Sequence, residues 1–211
     1  MLLQLHDLAF AYPGCPLWAP WSHAWGPGVA LVRGGDGAGK TTLLRLLAGQ
    51  LAPARGRLVL QGVDATAQPE AYRRQVFWID PRLPGLPAHD GQTPAQWLHG
   101  LPVHYPQWSD AALRAHVQGW SLAQHLDKPF HALSSGTQRK IFMAAALASG
   151  APLALIDEPI AALDRPSIQY LQQALAQCAG APGRLVLVAH YESLPGVPWD
   201  AVADIPQPPS G

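Results

Sequence analysis

Residues 34–41 read Gly-Gly-Asp-Gly-Ala-Gly-Lys-Thr, which fits the pattern G-x-x-x-x-G-K-[ST] without a mismatch. So many glycines can neither continue a strand nor propagate a helix, so the segment must be a tight loop. Its flanks then restrict the fold. Val29–Arg33 is a short apolar strand that runs into the loop. Thr41–Ala48 leaves it with Leu43, Leu44, Leu46 and Leu47 at helical spacing, and Gly49 stops that helix. A strand, a glycine loop and a helix in that order commit the chain to an α/β architecture. A Gly-rich turn arising by chance would lack these flanks.

The loop has a chemical reading. Without Cβ atoms the backbone can wrap an anion, and N–H groups at a helix start point toward it. Gly34, Gly35, Asp36, Gly37, Ala38, Gly39, Lys40, Thr41 and Thr42 are therefore candidate phosphate binders. Lys40 is placed to reach the β- and γ-phosphates of a nucleotide, and Thr41 to hold Mg²⁺.

A second signal lies at Leu153-Ala-Leu-Ile-Asp157-Glu158-Pro159, an apolar run that ends in two carboxylates. A buried parallel strand that delivers an Asp to its tip can present it to a metal beside phosphates. Glu158, one residue on, is placed to orient and deprotonate a water. Alone, this segment would read equally well as a buried strand followed by a solvated acidic turn. Beside the glycine loop, the chemical reading is the stronger one.

The remaining chain alternates strands and helices. Strands are expected at Leu2–Phe10, Arg57–Leu60, Val76–Ile79 and Leu185–Ala189, with a turn at Tyr12, Pro13 and Gly14. Ala95–His99 has the spacing of a helical turn or two. Ser109 is a candidate N-cap for a helix to Gly119. Thr137–Ser149 reads as a helix, as does a segment from Pro166 to Cys178 with Ile168, Leu171 and Leu175 on one face. The stretch 81–147 is mostly helix and loop, and reads as a helical subdomain inserted into a sheet. The tail 206–211 is expected to be unordered. One domain over 1–205 follows, since 211 residues suffice for one core and a small subdomain.

Composition removes several classes. An apolar fraction of 48% against 13% charged residues is that of a globular chain. The formal net charge is zero, so no basic field exists to draw nucleic acid, and no nucleic-acid partner is expected. No apolar run reaches the ~20 residues of a membrane span. The first twenty residues hold no Lys or Arg, unlike a secretory leader. Cys15 and Cys178 form no metal-pair spacing, and a reducing cytoplasmic setting is the simpler reading. The nine His form no metal cluster pattern.

Further motifs resemble one family. Leu133-Ser134-Ser135-Gly136-Thr137-Gln138-Arg139-Lys140 is similar to the Leu-Ser-Gly-Gly-Gln signature of ABC (ATP-binding cassette) proteins. Ile160-Ala-Ala-Leu163-Asp164 resembles their D-loop, His190 their switch histidine, and Tyr12 the aromatic residue that stacks on adenine. The resemblance covers about residues 2–192, and the small single-cassette ATP-binding subunits of bacterial transporters are the nearest type. It implies a P-loop NTPase fold with a mostly parallel core sheet, an N-terminal antiparallel β part and the inserted helical subdomain. It implies ATP and Mg²⁺ as cofactors, with Lys40, Glu158 and His190 catalytic, and Thr41 and Asp157 on the metal. Two cassettes, identical or related, would pair head to tail, Ser134 and Gly136 facing the partner's ATP. The pair would power a separate membrane permease from the cytoplasmic face of the membrane.

The sequence departs from the pattern in two places. Ser135 and Thr137 replace a Gly and the Gln of the signature, although some ABC exporters carry a related Leu-Ser-Lys-Gly form. The segment Tyr105-Pro-Gln-Trp-Ser-Asp110 resembles what precedes the signature in those exporters, and the short length is similar to the ATPase subunit of haem exporters in cytochrome c maturation. Asp80 stands where the family places a Gln that touches Mg²⁺, and is expected to serve the metal instead. These departures keep a second reading open, a degenerate cassette that binds ATP as a regulatory module with little turnover. DNA-repair ABC proteins carry long insertions for which this chain has no room.

Overall fold

The computed structural model describes residues 1–12, 15–80 and 91–206. In chain order the strands are β1 (Leu3–Ala9), β2 (Ala11–Tyr12), β3 (Cys15–Pro16), β4 (Trp21–Trp25), β5 (Gly28–Arg33), β6 (Arg55–Leu60), β7 (Val63–Asp64), β8 (Val76–Phe77), β9 (Leu153–Asp157), β10 (Leu185–His190) and β11 (Ala201–Asp204). The helices are α1 (Lys40–Leu47), α2 (Pro69–Arg73), α3 (Pro94–Gly100), α4 (Asp110–Gly119), α5 (Ser135–Ala148) and α6 (Arg165–Ala176).

Two sheets organise the chain. A five-stranded sheet runs β11-β5-β10-β9-β8 with every neighbouring pair parallel. A four-stranded antiparallel sheet runs β4-β1-β6-β7. Strands β9 and β10 are buried along their whole lengths, as central parallel strands covered on both faces must be. Their side chains alternate between two cores. Leu153, Leu155, Leu185, Leu187 and Ala189 face Leu43, Leu44, Leu46 and Leu47 of α1, behind which lie Leu3, Leu5, Leu58 and Leu60 of the antiparallel sheet. Ala154, Ile156, Val186 and Val188 face Ile141, Met143 and Ala144 of α5 and Leu171 and Leu175 of α6. Helix α1 is thus clamped between two sheets, which fixes the loop at its N-terminus.

Local capping sets the helix starts. Ser134 accepts from the Thr137 N–H, so α5 begins at Ser135 rather than at the expected Thr137. Asp164 caps α6 through the Ser167 N–H, with Pro166 in its first turn. Ser109 caps α4 as expected. Thr93 and Gln96 form a reciprocal capping box on α3, a signal not read in the sequence. Helices α3, α4 and α5 lie in the chain between β8 and β9. Residues 81–90 of the expected subdomain, and 207–211 of the expected tail, lie outside the described residues.

Among the described residues, the sequence gives no sign of β2, β3, β4, β7, α2 or β11 as such elements. Strand β11 is a short edge strand on β5, held by pairing and by the Arg33–Asp204 ion pair at 2.8 Å rather than by its own composition. Strand β4 alternates Trp21, His23 and Trp25 on one face, but Pro20 and Pro27 just outside it disguise the run.

Leu187 is fully buried in the centre of the parallel sheet. Leu187→Ala is expected to lower the unfolding free energy by ~2–5 kcal/mol, the range for emptying a core Leu site. Equilibrium denaturant unfolding measures it, and a loss below about 1 kcal/mol would place Leu187 outside the packed core.

Candidate functional site

The C-terminal ends of three adjacent parallel strands converge on one place. β5 leads into the glycine loop, β9 ends in Asp157, and β10 ends in His190. The register makes this convergence automatic, because His190 pairs with Arg33 and Ala189 with Asp157. The Gly34 N–H donates to the His190 carbonyl at 3.2 Å, and the Glu158 N–H to the Ala189 carbonyl at 2.9 Å. The sheet itself therefore places the loop, both carboxylates and the histidine.

The loop curls back around Lys40. Its Nζ donates to the carbonyls of Gly34 at 2.7 Å and Gly35 at 2.9 Å, and pairs with Glu158 Oε1 at 3.0 Å. Gly37 and Gly39 both have positive φ. A Cβ on Gly39 would run into the Trp18 ring and Leu17, so only glycine fits there. One residue after Lys40, the Thr41 Oγ1 donates to Asp157 Oδ2 at 2.7 Å. The hydroxyl and the carboxylate expected at a divalent cation thus lie side by side.

Glu158 is the hub. Its Oε2 lies 2.8 Å from His190 Nδ1, and His190 is almost wholly buried. Its backbone adopts φ +44, a left-handed conformation that non-glycine side chains rarely take. Burial works to raise the pKa of Glu158. The hydrogen bonds from Lys40 and His190, with their charges, outweigh burial and hold the carboxyl below its ordinary 4.5. A carboxylate so placed is ionised at neutral pH and able to accept a proton. His190 Nε2 is buried and finds no hydrogen-bond partner among the described residues, so it is a polar atom suited to a ligand oxygen.

An open cleft of about 400 Å³ lies over these groups, lined by Tyr12, Leu17, Gly35, Asp36, Gly37, Gly39, Lys40, Thr41, Thr42 and Glu158. Tyr12 is 42% exposed, packs edge-on against Phe10, and its hydroxyl lies 3.0 Å from Thr42 Oγ1. Leu17 is a lining residue that sequence reading missed. Nothing local marks it, because it reaches the cleft through the β2–β3 pairing. Amide-lined loop, ammonium, hydroxyl–carboxylate pair and unpartnered imidazole nitrogen form a donor set that fits a nucleotide's phosphates with Mg²⁺.

The remaining expected residues lie elsewhere. Ser134 and Gly136 sit at the start of α5, outside the lining of this cleft. A Cβ on Gly136 would strike the Ala162 carbonyl, so this glycine also lets the 160–163 loop pack on α5. Asp80 is 2% exposed and meets the Arg45 guanidinium through Oδ2, at 2.8 Å from Nε and 2.7 Å from Nη2. Its Oδ2 is thus held by α1, one helical turn past Thr41, and Asp80 is not among the residues that line the cleft. The sequence suggests a metal ligand there, and Arg45 gives no local sign of pairing with it.

A family model described as ABC transporter matches residues 26–161, more than half of the chain. The chain belongs to the ABC transporter family. It is an ATP-binding, ATP-hydrolysing subunit of a transporter, with the P-loop NTPase cassette fold. Among curated proteins it is 37% identical over 164 residues to the cytochrome c biogenesis ATP-binding export protein CcmA of Pseudomonas syringae pv. syringae, covering 76% of this chain and 74% of that protein. Among solved structures, an ATP-binding subunit of an ABC transporter is 26% identical with a TM-score of 0.73, covering 90% of this chain and 80% of the other. An ABC transporter ATP-binding protein from Pyrococcus furiosus shares the fold at 20% identity and a TM-score of 0.77, over 97% of this cassette and 98% of its own length. Among the described residues no helix of the cassette is long and apolar enough to cross a membrane.

The pH dependence of stability follows from Glu158. Its folded pKa is depressed, so its contribution is fully present above the ordinary 4.5 and is lost as pH falls through the lower folded value. Between pH 6 and pH 3 the cassette is expected to lose more thermal stability than its Glu158→Gln variant, as read by melting temperature. Identical acid slopes would show that the Lys40–Glu158–His190 cluster contributes nothing.

Proposed function

We propose that Glu158 is the general base that activates water against the γ-phosphate of ATP, and that the cassette works as an ATP-sandwiched pair on a membrane export permease. The observation that carries this reading is the position of Glu158, in contact with both Lys40 and His190 at the mouth of the phosphate loop.

Binding replaces protein partners by substrate. Phosphate oxygens offer Lys40 stronger acceptors than the Gly34 and Gly35 carbonyls, and its hold on Glu158 relaxes. The freed carboxylate takes a proton from water. His190, oriented through Nδ1 by Glu158, presents Nε2 to the γ-phosphate. Backbone N–H groups of residues 35–42 bind the remaining phosphate oxygens, and Tyr12 with Leu17 supports the adenine. Mg²⁺, when bound, supplies positive charge to the phosphoryl oxygens, and Thr41 and Asp157 are the residues that would hold it. Asp80 is left out of that set, since its Oδ2 is paired with Arg45.

The head-to-tail pair is supported by the place of Ser134 and Gly136, outside the lining of the cleft. Ser134 is exposed at the N-terminus of α5, where N–H groups face outward, and is suited to the phosphate held by a second copy or a related cassette. Residues 1–205 act as one cassette. Export is favoured by the likeness to the CcmA export proteins, and a membrane partner of that kind would hold the cassette on the cytoplasmic face. Zero net charge leaves nucleic acid without an electrostatic grip.

Steady-state ATP turnover tests the base. Glu158→Gln is expected to lower it by about 10²–10⁴ while ATP still binds, as general-base assistance implies. Turnover within tenfold of the unaltered chain would assign the proton to another group. A mixing experiment tests the pair. Lys40→Ala and Ser134→Ala chains, each inactive, are expected to regain activity when combined, because each mixed dimer keeps one intact shared site. No recovery would speak against two identical cassettes sharing sites.

A further inference from the structure

The main chain of the base is held by a residue from the signature helix. Arg139 Nη1 donates to the carbonyl of Asp157 at 2.9 Å and to that of Glu158 at 2.8 Å. These are successive carbonyls, and the second belongs to the residue with left-handed backbone. A non-glycine residue persists in such a conformation only where its surroundings enforce it. On one side the Glu158 N–H is tied to Ala189 of β10, and on the other its carbonyl is tied to Arg139. Arg139 lies one turn into α5 from Ser134 and Gly136, and Gly136 packs against the Ala162 carbonyl just beyond Glu158.

We propose that Arg139 is a positioning residue for Glu158, a strap by which the signature helix sets the backbone, and so the carboxylate direction, of the general base. The inference rests on the reading of Glu158 as base. A guanidinium suits the task because it keeps its charge and its rigid donors at any working pH, whereas an ammonium lacks that fixed planar geometry. Movement of α5 when its N-terminus meets a partner's nucleotide is then felt at the Glu158 peptide within the same cassette. The strap links the two ends of the shared site mechanically, with no contact between Arg139 and substrate.

The experiment compares Arg139→Met and Arg139→Lys with the unaltered chain by kcat and by KM for ATP, and repeats Arg139→Met in the Glu158→Gln background. Arg139→Met is expected to lower kcat tenfold or more while KM stays within about threefold. In the Glu158→Gln background Arg139→Met should lower the residual kcat no further, because the carboxylate it positions is already gone. Arg139→Lys should recover part of kcat. Should the Met variant fail to fold, the Lys variant is read by the same comparison in the two backgrounds. Unchanged kcat in Arg139→Met, or an equal fall in kcat in the Glu158→Gln background, would overturn the proposal. Failure of the underlying reading is distinguishable, since it appears as persistent turnover in Glu158→Gln whatever Arg139 does.

Discussion

The ammonium of Lys40 is the interaction around which the rest of the site is built. It has three oxygen partners, two from the backbone of its own loop and one from Glu158 across the strand ends. The first two curl the loop, and the third ties loop to base. A Lys that is nearly buried must be paired, and here the pairing is chemically replaceable. A polyphosphate supplies the same kind of oxygen with more charge, so the contacts that hold the site together are those a substrate would take over.

That exchange requires a rigid frame. The frame is the parallel sheet, whose register brings Arg33, Asp157 and His190 to one edge, and α1, whose four leucines are sealed between two sheets. The antiparallel sheet matters to function for this reason. It covers the far side of α1 and carries β1 toward Tyr12, which lines the cleft with Leu17. The helical part matters differently. Through Arg139 and Gly136, α5 touches the main chain on both sides of Glu158, so a helix that starts far from the glycine loop still reaches the chemistry.

The features legible in the sequence were those coded over a few adjacent residues. The glycine loop, the apolar run ending at Asp157 and Glu158, and the caps at Ser109 and Pro166 depend on short patterns with local physical causes. What could not be read depends on approach from a distance. Arg45 turning Asp80 toward α1, Arg139 grasping two carbonyls and Leu17 reaching the cleft all join residues brought together only by packing. Strands β4 and β11 were hidden because pairing with β1 and β5, not their own residues, makes them strands. The left-handed backbone of Glu158 carries no sequence signal, since non-glycine residues are normally excluded from that region.

Lys40 and the amides of its loop are proposed to clasp the terminal phosphates of ATP, with Glu158 and His190 facing the last of them. A crystal structure of the Glu158→Gln chain with Mg²⁺ and ATP measures this directly. The expected result is β- and γ-phosphate oxygens within hydrogen-bonding distance of Lys40 Nζ, and the γ-phosphate in reach of His190 Nε2. Nucleotide bound elsewhere, with Lys40 still on the Gly34 and Gly35 carbonyls and the cleft free of phosphate, would contradict it.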